Sequence, residues 1–431
     1  MSKEENRKNF SKYVSQNILG MIGFSCYVLA DSYFISIAKG ADGLTALNLV
    51  MPLYSIIFSI GEMIGVGSAI RYAISKIKKD ADADDYFWNA LIWCILSSMI
   101  FVFAGIFFSA DIMRVLGADE HIVAVGNNYT KIFMCFAPMF MCNYVTNAFV
   151  RNDGAPGIAM SATLFSSLFN IVFDYILMFP MNLGMEGAAL ATALSPIIGM
   201  GICSIHFFSK KSSVRLVVCK PSVRKLVAGS QLGVSAFVGE MSSAVITLAF
   251  NFVILKLTGN VGVAAYGVVA NIAIVTTAVF NGVAQGSQPL ISSCFGRGDK
   301  DGCTQLKRMG YTTAFVLAAV MYSILFIFAG QFVAVFNSEG SEMLRLYATE
   351  GVKLYFIGIF FAGINIVGGG AFSATEDAFK AAVVSVARGF VLILGAVFVM
   401  SALFGMTGVW LAYAVAEGIT TFIMLVMALR V

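Results

Sequence analysis

The sequence predicts an all-α integral membrane protein of twelve transmembrane helices arranged as two pseudo-symmetric six-helix bundles. Three observations predict it: composition, a series of bilayer-length apolar segments, and an internal repeat at about half the chain length. Of 431 residues, 59% are hydrophobic and 12% charged, whereas soluble domains carry about 45–50% apolar and about 25% charged residues. A chain with so little polar surface lives in lipid, and no stretch is left over for a separate water-soluble domain.

Crossing a bilayer takes about 20 apolar residues of helix. The first such run, 13–36, follows a polar start with no short apolar region and small-residue cleavage site, so no removable signal peptide is expected. Runs 44–70, 87–109 and 130–150 follow, the first trailed by Arg71 and Lys76, the last by Arg151. Runs 157–180 and 187–209 complete the first half, and a basic loop at about 209–225 precedes 230–256 and 262–290. The remaining four are 310–335, 354–374, 380–404 and 408–429. Lipid cannot satisfy backbone N–H and C=O groups, so each run is a helix, and the two-residue alternation of a barrel strand is absent.

With the amino terminus in the cytosol, 21 of the 28 Lys and Arg residues face the cytosol, from Lys3 and Arg7 to Arg430. Six fall outside (Lys39, Arg114, Lys131, Lys256, Arg345, Lys353), and Arg388 lies within span 11. This bias places both termini in the cytosol, in a plasma or inner membrane.

Gly184-Met-Glu-Gly-Ala-Ala-Leu-Ala-Thr-Ala193 at the start of span 6 reads like Gly405-Met-Thr-Gly-Val-Trp-Leu-Ala-Tyr-Ala414 at the start of span 12, half a chain later. A weaker echo links Gly65-Val-Gly67 with Gly282-Val-Ala284 at nearly the same spacing. Six spans on each side of the basic loop give a parallel repeat, with lobes at 1–215 and 216–431, suited to alternating access around a central site.

Carboxylates at bilayer depth are expensive and therefore functional candidates. Asp31, Glu62, Asp174, Glu240 and Glu417 lie inside spans. Asp174 follows Asn170 by one helical turn and Asp31 follows Tyr27 by one turn, so each shares a face with a hydrogen-bonding partner. Facing each other, the two aspartates disfavour joint ionisation and can exchange a proton; the same oxygens, with Asn170, can hold Na+. The plain alternative for each is that it caps a helix break or simply reaches the interface. Glu240, beside Gly239, Ser242 and Ser243, can meet a cationic substrate or be satisfied by those hydroxyls; Asn147 can line a cavity or bond between helices. Arg388 pairs with an acid or snorkels, and His121 and His206 read as solvated. The eight cysteines, with no CxxC pair, read as packing residues. Twenty-two Met and 38 Phe offer a soft aromatic interior open to cations. No metal-ligand cluster, nucleophile triad or phosphate loop marks an enzyme.

The stretches Tyr27–Ser36 (YVLADSYFIS), Met113–Asp119 (MRVLGAD), Phe149–Pro156 (FVRNDGAP), Phe169–Ile176 (FNIVFDYI), Gly184–Ala193 and Gly282–Gly298 together resemble the multidrug and toxic compound extrusion (MATE) transporters, in their MepA/DinF-like bacterial branch. The resemblance implies a secondary active antiporter that exports lipophilic, often cationic compounds in exchange for H+ or Na+. It implies a first-lobe coupling site at Asp31, Asn170 and Asp174 with Tyr27 and Thr192 as neighbours, and a branch-specific acidic position at Glu240. Two departures stand out: Ser15-Gln16-Asn17 replace the proline many members carry early in span 1, and span 10 has no acid between Phe356 and Ser373. The expectation is a monomer working on small molecules within membrane lipid, with no cofactor, resident metal or nucleic-acid partner. The competing readings are a lipid-linked sugar flippase, which would want Arg and Lys in its cavity, and a non-transporting sensor or scaffold.

Overall fold

The structure, a computed structural model, describes residues 3–336 and 341–429; Arg430, assigned above to the cytosol, lies outside the described residues. Helices α1 (Lys3–Lys78), α2 (Asp85–Val115), α3 (Glu120–Cys135), α4 (Ala137–Asn152), α5 (Pro156–Met178) and α6 (Gly184–Phe207) form the first half. The second comprises α7 (Val223–Gly296), α8 (Lys300–Ile327), α9 (Ala329–Phe336), α10 (Glu342–Tyr355), α11 (Ile359–Ala374), α12 (Ala378–Val386) and α13 (Leu392–Leu429). A 3₁₀ turn at Phe356–Gly358 and a π turn at Ala387–Val391 join the last four. No strand occurs among the described residues. Nine described segments are long and apolar enough to cross a bilayer, ten with the α3–α4 pair that bends by 46° at Phe136, just before Pro138. Two of them, Val223–Gly296 and Ala378–Ala428, reverse direction midway, so the twelve expected spans fit.

The reversals share one device. As a straight rod α1, at 76 residues, would be about 114 Å long at 1.5 Å per residue. Instead Gly40 takes φ 59°, Gly259 in α7 takes 67° and Gly405 in α13 takes 58°, the left-handed region that residues with a Cβ resist. Gly184, opening α6, takes 52°. Three residues past each corner stands a second glycine that has no room for a side chain. A Cβ on Gly408 would lie 1.9 Å from the Met400 carbonyl oxygen, and one on Gly43 3.4 Å from that of Ile35. Residues eight apart in a straight helix are separated by about 12 Å, so the chain has turned back. Gly-x-x-Gly thus recurs at 40, 184, 259 and 405, of which the sequence reading found only the second and fourth. The spacing from Gly40 to Gly259 agrees with that from Gly184 to Gly405 to within two positions, which sets the register of the repeat. The echo of Gly65 in Gly282 falls just short of that register. Gly408→Ala is expected to lower the thermal midpoint more than Gly405→Ala, whose left-handed strain costs about 1–3 kcal/mol. Gly395→Ala, with open space around it, serves as the neutral control in the same melting series.

Buried apolar residues separate into cores drawn almost wholly from one half of the chain. The exceptions are reciprocal: Phe10 and Val14 enter the second-half core and Leu232 enters the first. All lie at the end of the bundle that carries the amino terminus. There a Cβ on Gly67 would lie 2.1 Å from the Gly229 carbonyl oxygen, one on Gly233 2.0 Å from that of Met63, and one on Gly286 2.7 Å from the Val14 Cα. Gly67 and Gly286 are spaced as Gly40 and Gly259 are, and so are Val14 and Gly233, so one close contact is made twice. Polar clamps flank this seam: Glu376 pairs with Arg71 and with Lys78 (3.4 Å), Lys225 pairs with Asp85, and Asn6 donates to Gln305 (3.3 Å).

Candidate functional site

The expected coupling residues converge in the first half. Asp31 and Asp174 are 6% and 0% exposed, Asn170 and Thr192 0% and 2%. Asn170 sits one turn before Asp174 on α5. With its amide oriented to satisfy both neighbours, it donates to Asp174 Oδ2 (3.1 Å) and accepts from the Thr192 hydroxyl and backbone N–H (3.2 Å each). Pro196 explains how α6 offers that threonine. Lacking an N–H, it leaves the Thr192 carbonyl without its helical partner, and the Ser195 hydroxyl donates to that carbonyl instead (3.0 Å).

Asp31 lies close enough for its charge to act on Asp174, and Tyr27, one turn before Asp31, lines the same cavity as Glu240. Behind them the hydroxyls of Tyr54 and Tyr129 hydrogen-bond to each other. One oxygen of each aspartate, Asp31 Oδ1 and Asp174 Oδ1, is buried without a hydrogen-bond partner among the described residues. A buried acceptor left open is costly, and a proton or a small cation would satisfy each of them. Among the described residues no three His, Cys, Asp or Glu groups gather as metal ligands.

The cavity, of about 110 Å³, is walled mainly by the first half, with Glu240 and Gln285 reaching it from the second, and is lined by Tyr27. Drug-sized sites span about 300–1,000 Å³, so as it stands the cavity is too narrow for a drug-sized molecule. Phe24, Phe58 and Tyr144 form aromatic walls; Glu62 and Glu240 reach it from opposite halves. Glu240 and Asn147, the expected cavity residues, both line it. Asn147 also makes the interhelical bonds foreseen for it, donating to the Ala159 carbonyl (3.1 Å) and the Thr163 hydroxyl (3.2 Å).

Arg151 overturns its expected place. Assigned to a cytosolic loop after span 4, it is in the last turn of α4, 5% exposed, and lines the cavity. It donates to Gln285 of α7 (2.7 Å) and Asn17 of α1 (3.3 Å), and Gln285 donates to Glu62 (3.3 Å). The Asn152-Asp153-Gly154 turn beside it gives it the look of a loop charge. His206 is a second correction: read as solvated, it is 3% exposed and bonded to Asp153 (2.8 Å), where α6 folds over α4. His121 is solvated as expected, beside Asp42 (2.9 Å).

The second half holds no counterpart of the aspartate pair among the described residues. Phe250, which takes the place of Asp31 in the repeat, stacks on Tyr266, and Tyr413, in the place of Thr192, stacks on Tyr355 with centroids 4.4 Å apart. Its charge lies elsewhere: Arg388, carried by the π turn, pairs with Glu417 (2.7 Å), which also accepts from Asn365 (2.7 Å). That resolves the two options left open for Arg388 in favour of an acid partner.

The MatE family model matches this chain twice, at residues 17–176 and again at 236–399. The chain belongs to the MatE family. The two matches start at positions spaced as Gly40 and Gly259 are, so they share the register of the glycine corners. The multidrug export protein MepA of Staphylococcus aureus (strain MRSA252) is 27% identical over 414 residues, covering 93% of this chain and 89% of its own. MepA of Staphylococcus saprophyticus is 26% identical over 405 residues, with the same coverage. Among solved structures, an outward-facing multidrug resistance MATE transporter of the MOP superfamily matches with a TM-score of 0.92 at 20% identity, over 99% of this chain and 96% of that one. A MOP superfamily transporter from Pyrococcus furiosus, described as having a binding pocket of reverse polarity, matches at 0.91 and 19%, over 99% and 95%. Membership makes this a multi-pass membrane protein of the MATE multidrug efflux family, whose members are transporters and not enzymes.

Proposed function

We propose that this MatE protein exports lipophilic, often cationic compounds in exchange for H+ or Na+ by alternating access. Asp31 and Asp174, aided by Asn170, Tyr27 and Thr192, take up the coupling ion, and Glu240 and Asn147 contact substrate. The observation that carries the reading is the buried aspartate pair with an open oxygen on each member, a short step behind a cavity walled by Tyr27. The lobes at 1–215 and 216–431 rock as units, both termini face the cytosol of a plasma or inner membrane, and the protein acts as a monomer. On that orientation the glycine seam closes the cytosolic side in the present arrangement. The MepA relatives, named for multidrug export, support the substrate class. Ion binding moves substrate only if the two lobe arrangements bind it with different affinity. The flippase reading loses ground because the arginines at membrane depth are already engaged, half-buried Arg388 by Glu417 and buried Arg151 by Gln285 and Asn17.

The test is dye flux in proteoliposomes with proton and sodium gradients imposed separately. Uphill movement of ethidium under one gradient and not the other is expected, and it names the ion. Absence of flux under both would overturn the reading and favour a sensor or scaffold.

A further inference from the structure

The relay Arg151–Gln285–Glu62 is not used by the coupling site, and it joins the two halves. Arg151 and Glu62 both belong to the first half, on α4 and the second arm of α1. Gln285, the residue between them, belongs to the second. Its carbonyl-side Oε1 accepts from Arg151 at 2.7 Å while its Nε2 donates to Glu62 at 3.3 Å. An amide that accepts from a guanidinium is a stronger donor at its other end, because hydrogen bonds in a chain polarise one another. All three groups line the cavity, and Gln285 lies one residue from Gly286, which closes on Val14 at the seam. The relay therefore exists only while the amino-terminal end is shut: if the second half swings away, it takes Gln285 with it, and Glu62 is left facing the cavity without a donor.

We propose that Glu62 is a carboxylate that holds the substrate's positive charge, and that the Gln285–Arg151 relay is a built-in competitor that takes this carboxylate over when the amino-terminal end closes, expelling a lipophilic monocation. This rests on the export reading above and supplies the difference in substrate affinity between states that the reading requires. The walls suit such a ligand: Phe24, Phe58 and Tyr144 offer aromatic faces to a bulky cation, and Glu240 brings a second carboxyl group from the opposite half. Uncharged substrates have no stake in Glu62, so the relay discriminates by charge.

The experiment measures tetraphenylphosphonium and uncharged triphenylphosphine oxide binding to the purified full chain in nanodiscs, with tetraphenylphosphonium flux in proteoliposomes alongside. Gln285→Leu is expected to tighten tetraphenylphosphonium binding by about fivefold or more, the low end of measured coupling between linked sites, while leaving triphenylphosphine oxide unchanged and slowing cation turnover. Gln285→Asn, which keeps an amide but shortens it, is expected to fall between and guards against misfolding of the leucine variant. In a Glu62→Gln background the tightening vanishes. Equal effects on the charged and uncharged ligands, or unchanged tetraphenylphosphonium affinity in both Gln285 variants while wild-type vesicles transport, would overturn the relay alone. Wild-type vesicles without gradient-driven flux would overturn the export reading and the relay with it.

Discussion

Asp174→Asn is expected to lower gradient-driven dye transport by at least about fivefold, the low end of the free-energy coupling between linked sites, while the protein stays folded. Asparagine keeps the shape of the side chain and can still bond Asn170, but it can neither ionise nor release a proton. Asp174 is wholly buried, and Asp31 is close enough to act on it, so the substitution also removes the electrostatic link between the two aspartates. Glu62 and Glu240 are untouched and continue to line the cavity. Dye binding therefore persists where dye flux fails, and that split separates loss of coupling from loss of substrate recognition. Thermal stability points the same way: replacing a buried carboxylate that leaves one oxygen unpartnered with a neutral amide removes a desolvation penalty, so the melting midpoint should hold or rise. Asp31→Asn is expected to behave alike. Ion-driven flux retained in both variants, or a large drop in midpoint, would place these residues in the framework and not in the coupling site.

Why these two aspartates were legible in the sequence, and Arg151 and Gln285 were not, has a physical reason. An acid inside an apolar run is conspicuous because lipid penalises it wherever the helix faces, and one helical turn links Asp174 to Asn170 and Asp31 to Tyr27 without any tertiary information. The spans were legible for the same reason: each is a local run set by bilayer thickness. Arg151 sits beside a turn and looks like one more loop charge; only the crossing of α4 against α1 and α7 buries it. Gln285 is neutral, so hydropathy passes over it, and its importance lies in touching two residues from the other half of the chain. His206 was misread likewise, since its partner Asp153 lies 53 residues away. The glycine corners at 40 and 259 share a skeleton of two glycines but little else, Gly-Ala-Asp-Gly against Gly-Asn-Val-Gly, so similarity of side chains could not find them. Their shared geometry is a property of the backbone.

Gly67→Val is expected to shift the lobes away from the arrangement closed at the amino-terminal end. A Cβ at that position would sit 2.1 Å from the Gly229 carbonyl oxygen and 2.6 Å from the Gly233 nitrogen, and both belong to backbone, which cannot step aside as a flexible side chain can. The neighbouring ion pairs do not offset this: Arg71 and Glu376 are 24% and 22% exposed, and partly exposed pairs contribute about 0–1 kcal/mol. Overpacking costs about 1–3 kcal/mol, and it is felt only where the halves touch, so it falls on the closed state and spares the open one. That difference changes the ratio of the two states by about 5- to 150-fold. Spin labels at Lys79→Cys and Lys300→Cys, both exposed, in a background without the native cysteines, would report the distance across the closed end. The expected result is a longer distance population in Gly67→Val, with Gly201→Ala, which has nothing within 4 Å of its added Cβ, unchanged from wild type. An unaltered distance distribution in a folded Gly67→Val protein would mean that the seam yields locally. Closure would then rest on the polar clamps at Arg71, Lys78, Glu376 and Lys225, against the argument from backbone contact. With the shift observed, Gly67→Val is also expected to favour binding of a cationic dye, because a seam held apart separates Gln285 from Glu62 and leaves that carboxylate to the ligand.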